Sequence, residues 1–395
     1  MLSQHLENRR QMAFITGPRQ VGKTFICRSL LDNPANYLNW DNLDDRVLIL
    51  KGPSAMAAHF KLEKLSSSKR IAVLDELHKF SKWKSLLKGF FDTYEDSIRM
   101  LVTGSSRLDI HRRGGDSLMG RYFLYRMHPF SIAELASSDI PDPKLIVRPP
   151  RKITEVDFAA LYEHGGFPEP FINRDTAFTS RWWGLRLNQL VREDMRDMTH
   201  ILELGQIEVM AKILQSRSAS QINYSNLASE VRVSVDTARR WIDILCSMQF
   251  GFIIRPWRKN ITNSLKKEPK WYLRDWSGLT DPGARVETMF ACHLLKAVEG
   301  WTDMGLGEFG LYYMRDKMKR EVDFAVVRNG TPWFLVEAKK SDENLSPSLA
   351  HFMKATNAPH AFQAVLDADY VQSDCFASKG RPLVVPAKTL LSQLL

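Results

Sequence analysis

Apolar residues in the first third of the chain gather into short unbroken runs instead of alternating with polar ones. Met12-Ala-Phe-Ile-Thr16, Ile71-Ala-Val-Leu74 and Met100-Leu-Val102 are each closed by a polar residue or glycine. Runs of this length with no polar face predict strands buried on both sides, and the helical sequence between them predicts crossover helices. The region therefore reads as a parallel sheet. Between Ser137 and Lys152, four prolines (Pro141, Pro143, Pro149, Pro150) accompany scattered charges without periodicity, which places a boundary there. From Asp157 to Met248 the spacing is helical, broken at Gly165-Gly-Phe-Pro-Glu-Pro170. From Glu287 to Ala368 a helix gives way to short strands and a hairpin at Arg328-Asn-Gly-Thr331, where Asn-Gly favours a type I′ turn. The expectation is an α/β chain organised as residues 1–150, 151–280 and 281–395.

Composition narrows the setting. The 395 residues are 44% hydrophobic, enough for several cores and too much for a disordered tail. No apolar run approaches the roughly 18 residues of a membrane span, and MLSQHLENRR lacks a signal-peptide apolar region. A cytoplasmic protein without membrane contact is expected. Cys27, Cys246, Cys292 and Cys375 lie too far apart for a zinc knuckle or a disulfide framework. The net charge of +10 suits a polyanionic partner or simple solubility, so its placement has to decide.

The first strand runs into Gly17-Pro18-Arg19-Gln20-Val21-Gly22-Lys23-Thr24, the G-x-x-x-x-G-K-[ST] pattern in its strand-to-helix context. In such a loop the backbone N–H groups cradle phosphates, Lys23 meets the β and γ phosphates of ATP, and Thr24 reaches Mg²⁺. The second strand ends in Asp75-Glu76, where Asp75 would hold the metal through water and Glu76 would polarise the attacking water. The third ends in Thr103-Gly-Ser-Ser106, where Thr103 or Ser105 would sense the γ-phosphate or serve the turn.

Together with Asp75-Glu-Leu-His-Lys-Phe-Ser-Lys-Trp83, Gly120-Arg121, His128-Pro-Phe-Ser131, Glu134-Leu135 and Tyr162-Glu-His-Gly-Gly-Phe-Pro-Glu-Pro170, these motifs resemble prokaryotic AAA-type ATPases with a C-terminal DUF4143 domain. The resemblance covers nearly the whole chain. It implies ATP hydrolysis in a ring or other homo-oligomer, with an arginine supplied by a neighbouring subunit. Arg121 is the candidate, and Arg107, Arg112 and Arg113 compete with it.

Tyr224 to Val231, the turn Arg232-Val-Ser234, and Val235 to Leu245 form a helix-turn-helix pattern with Ser234 as N-cap. Phe250 to Ile254 and Lys270 to Leu273 would form a wing. Between them stand six basic residues (Arg255, Arg258, Lys259, Lys266, Lys267, Lys270) against Glu268 alone. The charge suits DNA backbone, with Trp257 and Trp271 for stacking; a solvated face or an internal packing module is the plain alternative.

Near the C-terminus, Asp323 precedes the hairpin and Glu337-Ala-Lys339 follows it. Glu337 and Lys339 share a strand face. With Glu287 on the preceding helix, the order resembles the PD-(D/E)xK nuclease fold, except that Val322 replaces the proline that often precedes the aspartate. The resemblance implies Mg²⁺ on Glu287, Asp323 and Glu337, with Lys339 catalytic. The leading reading is an ATP-driven DNA motor coupled to a Mg²⁺-dependent nuclease; the alternative is an ATP-switched DNA- or protein-binding regulator whose nuclease-like fold does not cleave, and a third is a protein-remodelling ATPase.

Overall fold

The computed structural model describes the chain except residues 65–68, 105–117, 138–141, 143–144, 191–203 and 258–267. The chain forms two compact units, Met1–His128 and Pro129–Leu395. No described helix is long and apolar enough to cross a membrane.

The first unit is built on a five-stranded parallel sheet. Its strands are β1 (Met12–Thr16), β2 (Tyr37–Asn39), β3 (Arg70–Asp75), β4 (Ile98–Thr103) and β5 (Tyr122–Arg126), in the order β2-β3-β4-β1-β5. The three apolar runs became β1, β3 and β4, the interior strands. Phe14, Leu74 and Val102 are completely buried there, as strands covered on both faces require. The edge strands escaped the pattern for different reasons. β2 has only three residues, and β5 (Tyr-Phe-Leu-Tyr-Arg), although apolar in sequence, is only half-buried, with Phe123 42% exposed.

The second unit contains an eight-stranded mixed sheet with helices. β6 (Ser220–Gln221), β7 (Gly251–Pro256), β8 (Lys270–Leu273), β9 (Phe309–Arg315), β10 (Glu321–Arg328), β11 (Thr331–Lys339), β12 (His360–Val365) and β13 (Pro382–Pro386) lie in the order β13-β12-β11-β10-β9-β7-β8-β6. Asn329 and Gly330 both have positive φ (49° and 79°), the geometry of a type I′ turn joining β10 to β11. The helix Tyr224–Val231 starts on Asn223, whose side chain accepts from Asn226 N, and ends on Arg232 at φ 56°. Val233 N then donates back to Ala228 O, which stops the helix and turns the chain. Ser234 caps the next helix, Val235–Ser247, by accepting from Thr237 N. That helix buries Ala238, Trp241, Ile242 and Leu245 and exposes Arg239 and Arg240. β7 and β8 follow as an antiparallel pair.

Candidate nucleotide and carboxylate sites

The loop Gly17–Thr24 leaves the C-terminal end of β1, and its two glycines are required by its path. A Cβ on Gly17 would stand 2.3 Å from the carbonyl oxygen of Met127, and Gly22 turns into the helix Lys23–Ser29 at φ 98°. Lys23 is buried, with Nζ donating to the carbonyls of Gly17 (2.9 Å) and Pro18 (2.7 Å). Burial lowers its pKa to about 8, against the upward pull of Glu76 and Asp75.

Asp75, buried at the end of β3, gathers three hydroxyls. Its Oδ2 accepts from Thr24 Oγ1 (2.8 Å) and from the Tyr37 hydroxyl (2.6 Å), and its Oδ1 accepts from Thr103 Oγ1. Thr24, Asp75 and Thr103 therefore meet across three separate segments. All supply hard oxygen donors, the chemistry that suits Mg²⁺. Glu76 follows at φ 55°, a left-handed conformation that a glutamate adopts at a cost and that aims it away from the strand. Its carboxylate lies 3.4 Å from Lys79 Nζ and 3.8 Å from His78 Nε2. Tyr37, which no sequence signal marked, reaches Asp75 because β2 pairs with β3.

Arg121 sits elsewhere. Its carbonyl accepts from Met12 N at the start of β1, so it lies at the sheet edge opposite the phosphate loop. Its guanidinium is paired with both oxygens of Asp92 (2.6 and 2.9 Å). Arg126, at the other end of β5, stands in register with Thr16 beside the loop. Ser105, Arg107, Arg112 and Arg113 lie outside the described residues, as do Arg258, Lys259, Lys266 and Lys267 of the basic run.

In the second unit Asp323 projects at a register shift between β10 and β9, a bulge that redirects its side chain. Its Oδ2 accepts from Ala338 N at 3.0 Å, and Glu337 lies on β11 with one oxygen 3.0 Å from Lys339 Nζ. Asp323, Glu337 and Lys339 thus come together, but Lys339 pairs with Glu337. Glu287, in the helix Pro282–Asp303, is engaged differently: its Oε1 accepts from Lys270 Nζ (2.9 Å) and from the Tyr272 hydroxyl (2.7 Å). Lys270 is only 4% exposed and also lies 2.6 Å from Glu321 and 3.5 Å from Asp323. Burial opposes its charge, yet Glu287, Asp323 and Glu321 together hold its pKa above the ordinary lysine value. Glu287 and Glu337 are each pushed up to about 7, first by burial and then by the charge of Asp323. Among the described residues no group of three or more His, Cys, Asp or Glu side chains is disposed to hold a metal ion. An ammonium stands where the sequence expectation put a cation, so this donor set as arranged does not fit a resident Mg²⁺.

Residues 9–136 match the AAA domain family, and residues 282–376 match the domain of unknown function DUF4143. The chain is an AAA-domain protein with a C-terminal DUF4143 domain. Between the two, residues 155–280 match a second domain of unknown function, DUF8612. Two uncharacterized proteins, Mb2031c of Mycobacterium bovis and Rv2008c of Mycobacterium tuberculosis, are each 23% identical over 358 residues, which cover 87% of this chain and 73% of theirs. Among solved structures, Aeropyrum pernix ORC1 in complex with DNA is 14% identical, with a TM-score of 0.34, covering 71% of this chain and 86% of its own. A DNA polymerase III gamma-subunit-related protein of Thermotoga maritima is 9% identical, with a TM-score of 0.28, covering 62% and 97%. In the AAA domain the phosphate loop and Asp75-Glu76 occupy the C-terminal ends of β1 and β3, the edge at which open parallel sheets bind ligands.

Proposed function

We propose that this AAA-domain protein hydrolyses ATP and uses the cycle to control its hold on DNA, acting as a switch whose DUF4143 pocket does not cleave. The convergence of Thr24, Asp75 and Thr103 beside the buried Lys23 carries the ATPase reading. Lys23 would exchange its loop carbonyls for phosphate oxygens, and Thr24 and Asp75 would hold Mg²⁺, which neutralises phosphate charge when bound. Glu76, set off the strand by its positive φ, would orient and deprotonate water, and Thr103 would hold Asp75 in place. Arg121 lies at the opposite sheet edge with its guanidinium held by Asp92, so a role toward a neighbouring copy in a homo-oligomer would require that pair to open.

Exposed Arg239 and Arg240 on the second helix, next to Arg232 in the turn, support DNA contact through a helix-turn-helix. Phosphate release measured with and without duplex DNA tests the coupling: turnover that is absent in wild type, or present unchanged in Lys23→Ala, overturns it. Magnesium-dependent cleavage is the second reading of the C-terminal pocket, favoured by the approach of Asp323, Glu337 and Lys339. Lys270 weighs against it, and a gel of linear, single-stranded and branched DNA with and without Mg²⁺ decides.

A further inference from the structure

We propose that Lys270 is the resident cation of the DUF4143 carboxylate pocket and that its ammonium excludes divalent metal from those carboxylates. The inference deepens the non-cleaving reading of that pocket.

A lysine ammonium has three N–H donors. Glu321 at 2.6 Å, Glu287 at 2.9 Å and Asp323 at 3.5 Å lie within reach of all three. A divalent ion binding these oxygens directly would sit about 2.0 to 2.6 Å from each, in the volume the ammonium fills. The two cations also repel at that range, so occupancy is exclusive.

The lysine is built in. The Tyr272 hydroxyl, two residues along the same strand face, fixes the Glu287 oxygen that Lys270 uses, and Arg315 holds the other oxygen of Glu321 at 2.8 Å. Glu337 keeps one buried oxygen without a hydrogen-bond partner, close enough for Asp323 to perturb it. With Lys270 gone, Glu287, Glu321 and Asp323 would lose the ammonium that they share.

The test is an electron paramagnetic resonance titration of the full chain with Mn²⁺, without nucleotide or DNA, so its outcome is separate from the ATPase and DNA readings. Wild type should bind no more Mn²⁺ than Asp323→Asn. Lys270→Met should gain one saturable site, lost again in Lys270→Met with Asp323→Asn. Its melting temperature should rise by several degrees with saturating Mn²⁺ while wild type stays unchanged. If Lys270→Met does not fold without metal, Lys270→Gln keeps an N–H donor to these carboxylates, leaves all of them in place and should show the same gain. A saturable Mn²⁺ site in wild type that Asp323→Asn removes overturns the proposal, as does a folded Lys270 variant that gains none.

Discussion

His293 offers a quantitative test of how the segment after β5 is held. The imidazole lies in the helix Pro282–Asp303, 3% exposed, with Nδ1 2.8 Å from the carbonyl of Met289 and Nε2 3.1 Å from the amide of Ile132. A carbonyl only accepts and an amide only donates, so the ring must be neutral with its proton on Nδ1. Burial, the largest cause, lowers its pKa to about 4 from 6.5, and Lys296 lowers it further. The unfolded state therefore binds a proton between about pH 6.5 and pH 4 that the folded state refuses. Stability is complete above that window and falls as pH drops through it. The difference between about pH 7.5 and pH 5 is about 1.4 log units, or about 2 kcal/mol. Hydrogen exchange of the peptide covering Pro129–Ala136, corrected for intrinsic rates, should show the Ile132 amide opening more easily by that amount at the lower pH. His293→Leu should be weaker at neutral pH by about 1 to 3 kcal/mol, because the Ile132 amide loses its acceptor, and should lose this pH dependence. Wild-type protection that stays flat from pH 7.5 to 5 would refute the assignment of the tautomer and of the clamp.

Lys23→Ala should lose ATP binding in an equilibrium binding assay, whereas Glu76→Gln should keep ATP bound and release no phosphate; equal turnover in either variant and wild type would remove the site assignment. Replacing Arg239 and Arg240 together by Ala should flatten the log-log salt dependence of duplex binding by about 1.8, at about 0.9 per phosphate contact, as read by fluorescence anisotropy across a salt series. Trp241→Ala should cost about 3 to 5 kcal/mol in chemical denaturation, since the indole is completely buried under the second helix.

The candidate nucleotide site is legible in the sequence because most of it is contiguous or ends an apolar strand. Gly17 to Thr24 is one segment, and Asp75 and Thr103 each close a run whose burial is visible in composition alone. What stayed hidden depends on sheet order. Tyr37 reaches Asp75 because β2 pairs with β3, and Arg126 comes into register with Thr16 because β5 adds beside β1. β2 is too short to announce itself, and β5, although apolar in sequence, carries no motif that places it beside β1. Arg121 shows the converse: its sequence neighbourhood fits the family pattern, but the parallel register of β1 and β5 carries it to the far edge.

The carboxylate pocket was readable residue by residue and misleading as a whole, and the cause is curvature. In the strand order β10-β9-β7-β8, a flat sheet would separate Lys270 from Asp323 by three strand spacings, about 14 Å, well beyond the reach of a lysine side chain. The structure closes that gap: Lys270 Nζ lies 3.5 Å from Asp323, and the Tyr272 and Phe324 rings are 5.8 Å apart between centroids. The sheet must therefore curl where β7 and β9 pair over only Arg255–Tyr312 and Pro256–Tyr313, which brings β8 toward β10. Composition placed Lys270 among six basic residues of a wing, where a solvated or DNA-facing charge is the natural expectation. Strand alternation carried the missing signal. Lys270 and Tyr272 share one face of β8 and converge on Glu287, so the strand that closes the proposed DNA-binding hairpin presents its polar face to the carboxylates. Any displacement of β8 must therefore be felt at Glu287, Glu321 and Asp323.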